Sequence, residues 1–190
     1  RFPAPVGVMS PWLDMALPPL EDLIAGLEAQ THRRFVKTHL PLDALPYFDT
    51  ARYVVVGGDG RDVFMSLWNH HMGYTEMVRG IMAEFSRTSG RDVPIEYASI
   101  HGMWEEWIAR SWYDWESSGF PYWSHLRHMQ SWWDYRHLEN ILFVHFADLL
   151  ADPEGQVRRV AKHLDVSINE DLLPGILERI GFKLSLIHIS

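Results

Sequence analysis

Lys37 and His39 are the first side chains in this sequence whose types and spacing could do chemistry. An ammonium beside an imidazole can neutralise developing negative charge while a proton leaves an acceptor. Residues 34–38 read as a short strand, and Pro41 cannot continue a central ladder. Side chains alternate across a strand, so Lys37 and His39 share one face and Thr38 takes the other. The pair then emerges at the carboxyl end of a strand, where open α/β sheets place their ligand crevice. A solvated edge-strand lysine followed by a loop histidine fits the same residues.

The second chemical group is the turn that follows Tyr53-Val54-Val55-Val56. This run has no polar alternation, as expected of a strand covered on both faces. Gly57, Gly58 and Gly60 make the turn. Asp59 is a good helix N-cap, and Asp62 falls in the first turn, where the helix dipole favours an acid. Val63, Leu67 and His70 then share one helical face. Strand, tight turn and helix make half of a βαβ unit, with a helix N-terminus able to receive an anion.

Other elements must hold these two groups in place. Residues 20–30 read as an amphipathic helix, with Leu20, Leu23, Ile24 and Leu27 on one stripe. Residues 100–116 and 121–135 read as tryptophan-rich helices. In the second, Trp123, His125, His128 and Trp132 follow roughly helical spacing. Residues 141–146 are a third, buried strand. Residues 154–164 and 169–180 are further helices, the last interrupted by Pro174 and Gly175. Between residues 73 and 94 the pattern weakens, and Ser86 to Gly90 is turn chemistry, so this region reads as a variable connection or lid. The expected architecture is α/β: three layers, with a short parallel sheet (34–38, 53–57 and 141–146) flanked by helices.

The two motifs together resemble the cytosolic-type, PAPS-dependent sulfotransferases. That family carries a Lys-Thr-His-Leu-Pro motif, present here from Lys37 to Pro41. It also has a strand ending in Arg-Asn/Asp-x-Lys/Arg-Asp-Val, here Gly58-Asp59-Gly60-Arg61-Asp62-Val63. Ser66 stands in the family's serine position. The resemblance runs on through residues 122–163, and Ser10-Pro11-Trp12-Leu13-Asp14 is similar to a segment just downstream of the family's phosphosulfate loop. It implies a fold like that of P-loop nucleoside kinases and transfer of a sulfonate from PAPS to a hydroxyl or amine of a small acceptor, with PAP as product. His39 is implied as general base and Lys37 as the cation on the transferring group. Ser66 is implied at the donor's 3′-phosphate and Phe146 near the adenine, with Phe182 against the nucleotide. Gly58 stands where the family places an arginine on that phosphate, so donor binding is expected to be weakened. Arg61 could partly substitute, although a solvated arginine fits as well. Lysine and arginine do here what Mg²⁺ does in kinases, so no metal is expected.

The resemblance also bears on the chain ends. The Pro-Lys-Ser-Gly-Thr-Thr-Trp loop it expects upstream of Ser10 is not in the sequence, nor is an Arg-Lys-Gly segment beyond Lys183. Residues 1–183 are therefore expected to form one incomplete domain that does not turn over by itself. Residues 184–190 read as a foreign or unstructured tail.

Two other readings compete. Gly57-Gly58-Asp59-Gly60 resembles the Gly-Gly-Asp-Gly-Thr motif of lipid and NAD kinases, but Arg61 replaces the threonine. A non-catalytic nucleotide-binding relative would explain the missing arginine. Composition narrows the field further. With 190 residues and 47% hydrophobic content, the chain suits a single globular domain. A formal charge of −8 argues against broad nucleic-acid binding, which needs a basic face. Cysteine is absent, which removes disulfides and thiolate metal sites. The eleven histidines include the pairs His70/His71 and His125/His128, but no His-Glu-x-x-His pattern occurs, so no metal site is assigned. No apolar run approaches the roughly 20 residues that span a bilayer. A cytoplasmic enzyme follows, with a homodimer allowed.

Overall fold

The computed structural model describes residues 9–14 and 19–181. Phe182 and the tail 184–190 lie outside the described residues. The centre is a parallel pair, β1 (Tyr53–Gly57) and β2 (Ile141–His145), in register from Tyr53 opposite Ile141 to Gly57 opposite His145. Tyr53 N–H extends the ladder to the Asn140 carbonyl at 2.8 Å. Buried Asn140 anchors the approach to β1: its amide donates to the Ala51 carbonyl at 3.1 Å and its oxygen accepts from Tyr47 at 2.9 Å. The architecture is α/β, a short parallel sheet flanked by helices.

The helices, in chain order, are α1 (Leu20–Glu28), α2 (Gly60–Met72), α3 (Glu76–Ser89), α4 (Ile100–Ala109), α5 (His125–Trp133), α6 (Phe146–Ala151), α7 (Pro153–His163) and α8 (Leu173–Ile180). Val55 and Ile141 face α5 and pack with Leu42 and Trp132 in one apolar cluster. Phe64, Met103 and Trp107 form a second cluster between α2 and α4. On the other face of the sheet Val144 is buried, and His163 at the end of α7 reaches the Tyr53 carbonyl at 3.0 Å. Among the described residues no helix is long and apolar enough to cross a membrane.

Three expectations are corrected. Residues 34–38 are not a strand of this sheet. Lys37 makes a single parallel bridge to Trp12, its N–H donating to the Pro11 carbonyl and its carbonyl accepting from Leu13 N–H, both at 2.8 Å. The ladder stops there because Asp14 takes the His39 N–H and Thr38 Oγ1 takes the Leu40 N–H. Second, β1 does alternate: Val54 and Val56 are 36% and 59% exposed, so the sheet face opposite α5 is open along β1. Third, the weakly patterned stretch 73–94 contains α3, capped by Thr75 Oγ1 on Val78 N–H and closed by left-handed Gly90. Smaller differences follow from caps. The helix expected to run to residue 116 ends at Ala109, and Ser124 starts α5 by accepting from Arg127 N–H at 3.1 Å. The strand expected over 141–146 stops at His145, because α6 starts at Phe146. The apolar stripe of α1 buries none of its side chains among the described residues.

The start of α5 is built tightly. Ser124 N–H donates to Glu116, and Ser118 and Ser124 share a hydroxyl hydrogen bond at 2.8 Å. Gly119 makes that turn at φ +102°, and a Cβ there would lie 2.5 Å from the Ser124 backbone. Gly119→Ala is therefore expected to destabilise the fold by more than the roughly 1–2 kcal/mol of a left-handed backbone alone. Chemical denaturation with and without the substitution measures it.

Candidate active site

The local chain path gives His39 its surroundings. Pairing of residues 11–13 with Lys37 brings Asp14 beneath the next turn of chain. The Asp14 side chain is only 4% exposed. Its two oxygens accept the His39 N–H at 3.2 and 3.1 Å. The His39 Nδ1 lies 3.6 Å from Asp14 Oδ2, just beyond hydrogen-bond range, and is buried with no other partner. Since Nδ1 is buried while the side chain is 41% exposed, the exposed edge of the ring is the Nε2 side.

Two indoles hold the imidazole plane. Trp12 meets it edge-on at 4.5 Å and Trp123 stacks on it at 5.7 Å with 12° between planes. Lys37 rests its ammonium 4.8 Å from the Trp12 ring centre, so Lys37 and His39 both lie against one indole, as their alternation predicts. Burial raises the pKa of Asp14, but the His39 ring and backbone, the Trp12 N–H and Thr38 outweigh it and bring the carboxyl down to about 2.

Helix α5 joins this site to the second motif. His128 Nδ1 lies 3.0 Å from the carbonyl oxygens of both His39 and Leu40. Carbonyls only accept, so that nitrogen carries a proton. One turn earlier, His125 faces the Gly58 backbone, which favours the protonated ring. Burial pushes both imidazoles toward the neutral form, and these backbone contacts partly offset it. Gly58 is also beside Phe146, whose Cβ would be 3.6 Å from a Cβ at that glycine. Phe146 is 38% exposed at the start of α6, so it is not a core residue of the strand. Ser66 is exposed on α2, two turns beyond the Asp59 cap.

The structure thus brings Lys37 and His39 together, and Gly58 and Phe146 together, with α5 between the pairs. Phe182 lies outside the described residues. Arg61, which could stand in for an arginine at Gly58, is exposed and paired with Asp59. Its guanidinium grips Asp59 through two hydrogen bonds, at 3.0 and 2.7 Å, and holds that carboxyl below its usual range. The same carboxylate takes the Arg61 N–H at 2.8 Å, so the α2 N-terminus already carries an anion of its own. Sequence reasoning missed Asp14, Trp12 and Trp123 as neighbours of His39. It placed His125 and His128 on one helix face but gave them no contacts.

A sulfotransferase-domain family model matches residues 5–184. The chain belongs to the sulfotransferase family. It is 32% identical over 184 residues to a glycolipid sulfotransferase of Mycobacterium bovis (strain BCG / Pasteur 1173P2), covering 90% of this chain and 56% of that protein. It is 25% identical over 183 residues to sulfotransferase 1B1 of Canis lupus familiaris, covering 94% and 53%. Among solved structures, retinol dehydratase in complex with androsterone and the inactive cofactor PAP superimposes with a TM-score of 0.61 at 28% identity. That match covers 88% of this chain and 42% of the other. A mouse sulfotransferase complexed with PAP matches with a TM-score of 0.61 at 16% identity, covering 87% and 50%, which bears on the fold alone. The chain spans about half the length of the curated relatives it matches.

The depressed Asp14 pKa has a stability consequence. A carboxyl at about 2 when folded, against an ordinary 3.8, stabilises the fold above the ordinary value and loses that contribution as pH falls toward 2. The difference in melting temperature between the wild type and Asp14→Asn should therefore shrink between about pH 4 and pH 2. Parallel thermal melts across that range check it; a constant difference would refute it.

Proposed function

We propose that this sulfotransferase-family chain contributes to transfer of a sulfonate from PAPS to a hydroxyl or amine of a small-molecule acceptor. One observation carries the reading: His39 is held with its Nδ1 edge buried and its Nε2 edge exposed, beside the Lys37 ammonium. In the proposed step, His39 takes the acceptor proton at Nε2 as the acceptor oxygen or nitrogen bonds to sulfur. The bond from sulfur to the bridging oxygen breaks, and PAP leaves with that electron pair. Lys37 stabilises the charge that develops on the transferring group and on the bridging oxygen. The retinol dehydratase structures, which hold PAP and are 28% identical to this chain, support the donor assignment by relation. The glycolipid, androsterone and retinol named for relatives point to acceptors with large apolar bodies.

By resemblance, Gly58, Ser66, Phe146 and Phe182 line the donor side, and residues 1–183 act as one domain unit. Gly58, Phe146 and the α2 helix that carries Ser66 follow the carboxyl ends of β1 and β2, where such sheets bind ligands.

His39→Ala is expected to remove roughly 10²–10⁴-fold of sulfonate transfer, the usual contribution of a general base, with PAP affinity unchanged. The assay is transfer of ³⁵S from labelled PAPS to a hydroxyl acceptor by a longer chain that carries the phosphosulfate loop, since residues 1–183 are expected not to turn over by themselves. Turnover within tenfold of wild type would overturn the assignment of the base. PAP binding without any turnover would favour a non-catalytic relative.

Gly58 tests the donor side. Its φ is not left-handed, and a Cβ there would make ordinary contacts with Phe146 and Val63 at 3.6 and 3.8 Å, so a side chain fits. A charged hydrogen bond is worth about 1.5–3 kcal/mol net. Gly58→Arg should therefore tighten PAP binding by roughly tenfold to a hundredfold. Adenosine 5′-phosphate, which lacks the 3′-phosphate, should gain far less. Calorimetric titration of both nucleotides decides; equal affinities in mutant and wild type would mean that Gly58 does not face the donor.

A further inference from the structure

We propose that Asp14 is the positioning residue of this site, fixing His39 as the Nδ1–H tautomer so that the Nε2 lone pair faces the acceptor. The inference rests on the reading of His39 as the base.

The Asp14 side chain is buried, and the hydrogen bonds its two oxygens accept come from the His39 N–H. A helix cap or a turn would need only the His39 N–H. Here the same carboxylate also lies against the ring of that residue, with Oδ2 3.6 Å from Nδ1.

A neutral imidazole has one nitrogen that donates and one that accepts. Were Nδ1 the acceptor, its lone pair would face a carboxylate lone pair where no water reaches it, since Nδ1 is buried and has no other partner. Were it the donor, the buried proton would point at an anion. The second state is strongly preferred, because a buried polar atom facing its own kind is costly. The indoles cannot make this choice. Trp12 and Trp123 fix the plane of the ring at 4.5 and 5.7 Å, but their carbon faces do not distinguish one nitrogen from the other. Asp14 supplies the missing electrostatic preference. Once the ring has accepted a proton at Nε2, the same carboxylate stabilises the cation. This is the division of labour seen wherever a carboxylate orients a catalytic imidazole.

The tautomer can be read without turnover. In the 190-residue chain labelled with ¹⁵N-histidine, long-range ¹H–¹⁵N correlation at mildly alkaline pH reports which His39 nitrogen is protonated, with His39→Gln giving the assignment. The expected result is Nδ1–H in the wild type. Asp14→Asn, which can turn an N–H₂ toward the ring, should shift His39 to Nε2–H while the thermal melt stays cooperative. Nε2–H in the wild type would overturn the proposal, and this outcome holds even if the variant fails to fold. In the transfer assay, Asp14→Asn should lower kcat by roughly 10²-fold or more with KM near wild type, as for loss of base function. A kcat within threefold of wild type would also overturn it. If a chain that carries the phosphosulfate loop transfers no sulfonate at all, the reading of function fails, while the tautomer in the 190-residue chain still decides the role of Asp14.

Discussion

The hydrogen bond from His128 to the carbonyls of His39 and Leu40 is the contact on which the arrangement of the site depends. The chain leaves its bridge with Trp12 at Lys37 and turns through Leu40 to Pro41 with no strand to receive its carbonyls. Buried carbonyls without partners are expensive, so some donor must reach them. The donor is an imidazole on α5, and nearby contacts add to it. Ser131 Oγ accepts the Leu42 N–H at 2.9 Å, and Arg127 pairs with Asp43. His125, one turn before His128, faces the Gly58 backbone. A single nine-residue helix thus sets two loops about twenty residues apart in sequence at a fixed spacing. Trp123, just ahead of its cap, stacks on His39, so the same helix also orients the imidazole.

The architecture was legible where local pattern and tertiary context agree. The valine-rich run at 53–57 and the apolar run at 141–145 pair in parallel because neither can bury its backbone alone. Asp59 as the cap of α2 was readable because a short acceptor at that position is a local, mechanistic signal. Residues 34–38 failed for the opposite reason. Their composition suits a strand, but a strand exists only where a neighbour accepts its ladder. Phe35 and Val36 are instead 45% and 49% exposed. The stretch 73–94 was misread although Met77, Val78, Ile81, Met82 and Phe85 follow a helical period; the turn residues from Ser86 to Gly90 outweighed that stripe, and they form the end of α3.

The site was half legible. Alternation alone puts Lys37 and His39 on one side, and both do lie against Trp12. Asp14 could not be found that way, since it precedes His39 by 25 residues and meets it only through the short parallel bridge at Lys37. Its sequence signal was the acid closing Ser10-Pro11-Trp12-Leu13-Asp14, which marks a resemblance but not a contact. His125 and His128 show the same limit. Their spacing predicts one helix face, but which backbone groups that face would meet depends on where α5 packs. Arg61 is the solvated first-turn arginine that its position suggests, exposed and paired with Asp59.

The placement of charge around Trp12 follows from these same contacts. A carboxylate that orients a base would be harmful if it also paired with the lysine needed by the transferring group. The ion pair would have to break before the lysine could meet an anion. Here Asp14 lies behind the imidazole, under Thr38 and the His39 backbone, while Lys37 rests on the indole face of Trp12. A cation on an exposed aromatic face is held by only about 0.5–1 kcal/mol, little enough to yield to a phosphosulfate group. Trp12 lies against both groups: its ring meets the imidazole edge-on and carries the ammonium on its face. On the proposed reading, one side chain would support the base while the ammonium rests on the indole and not on Asp14.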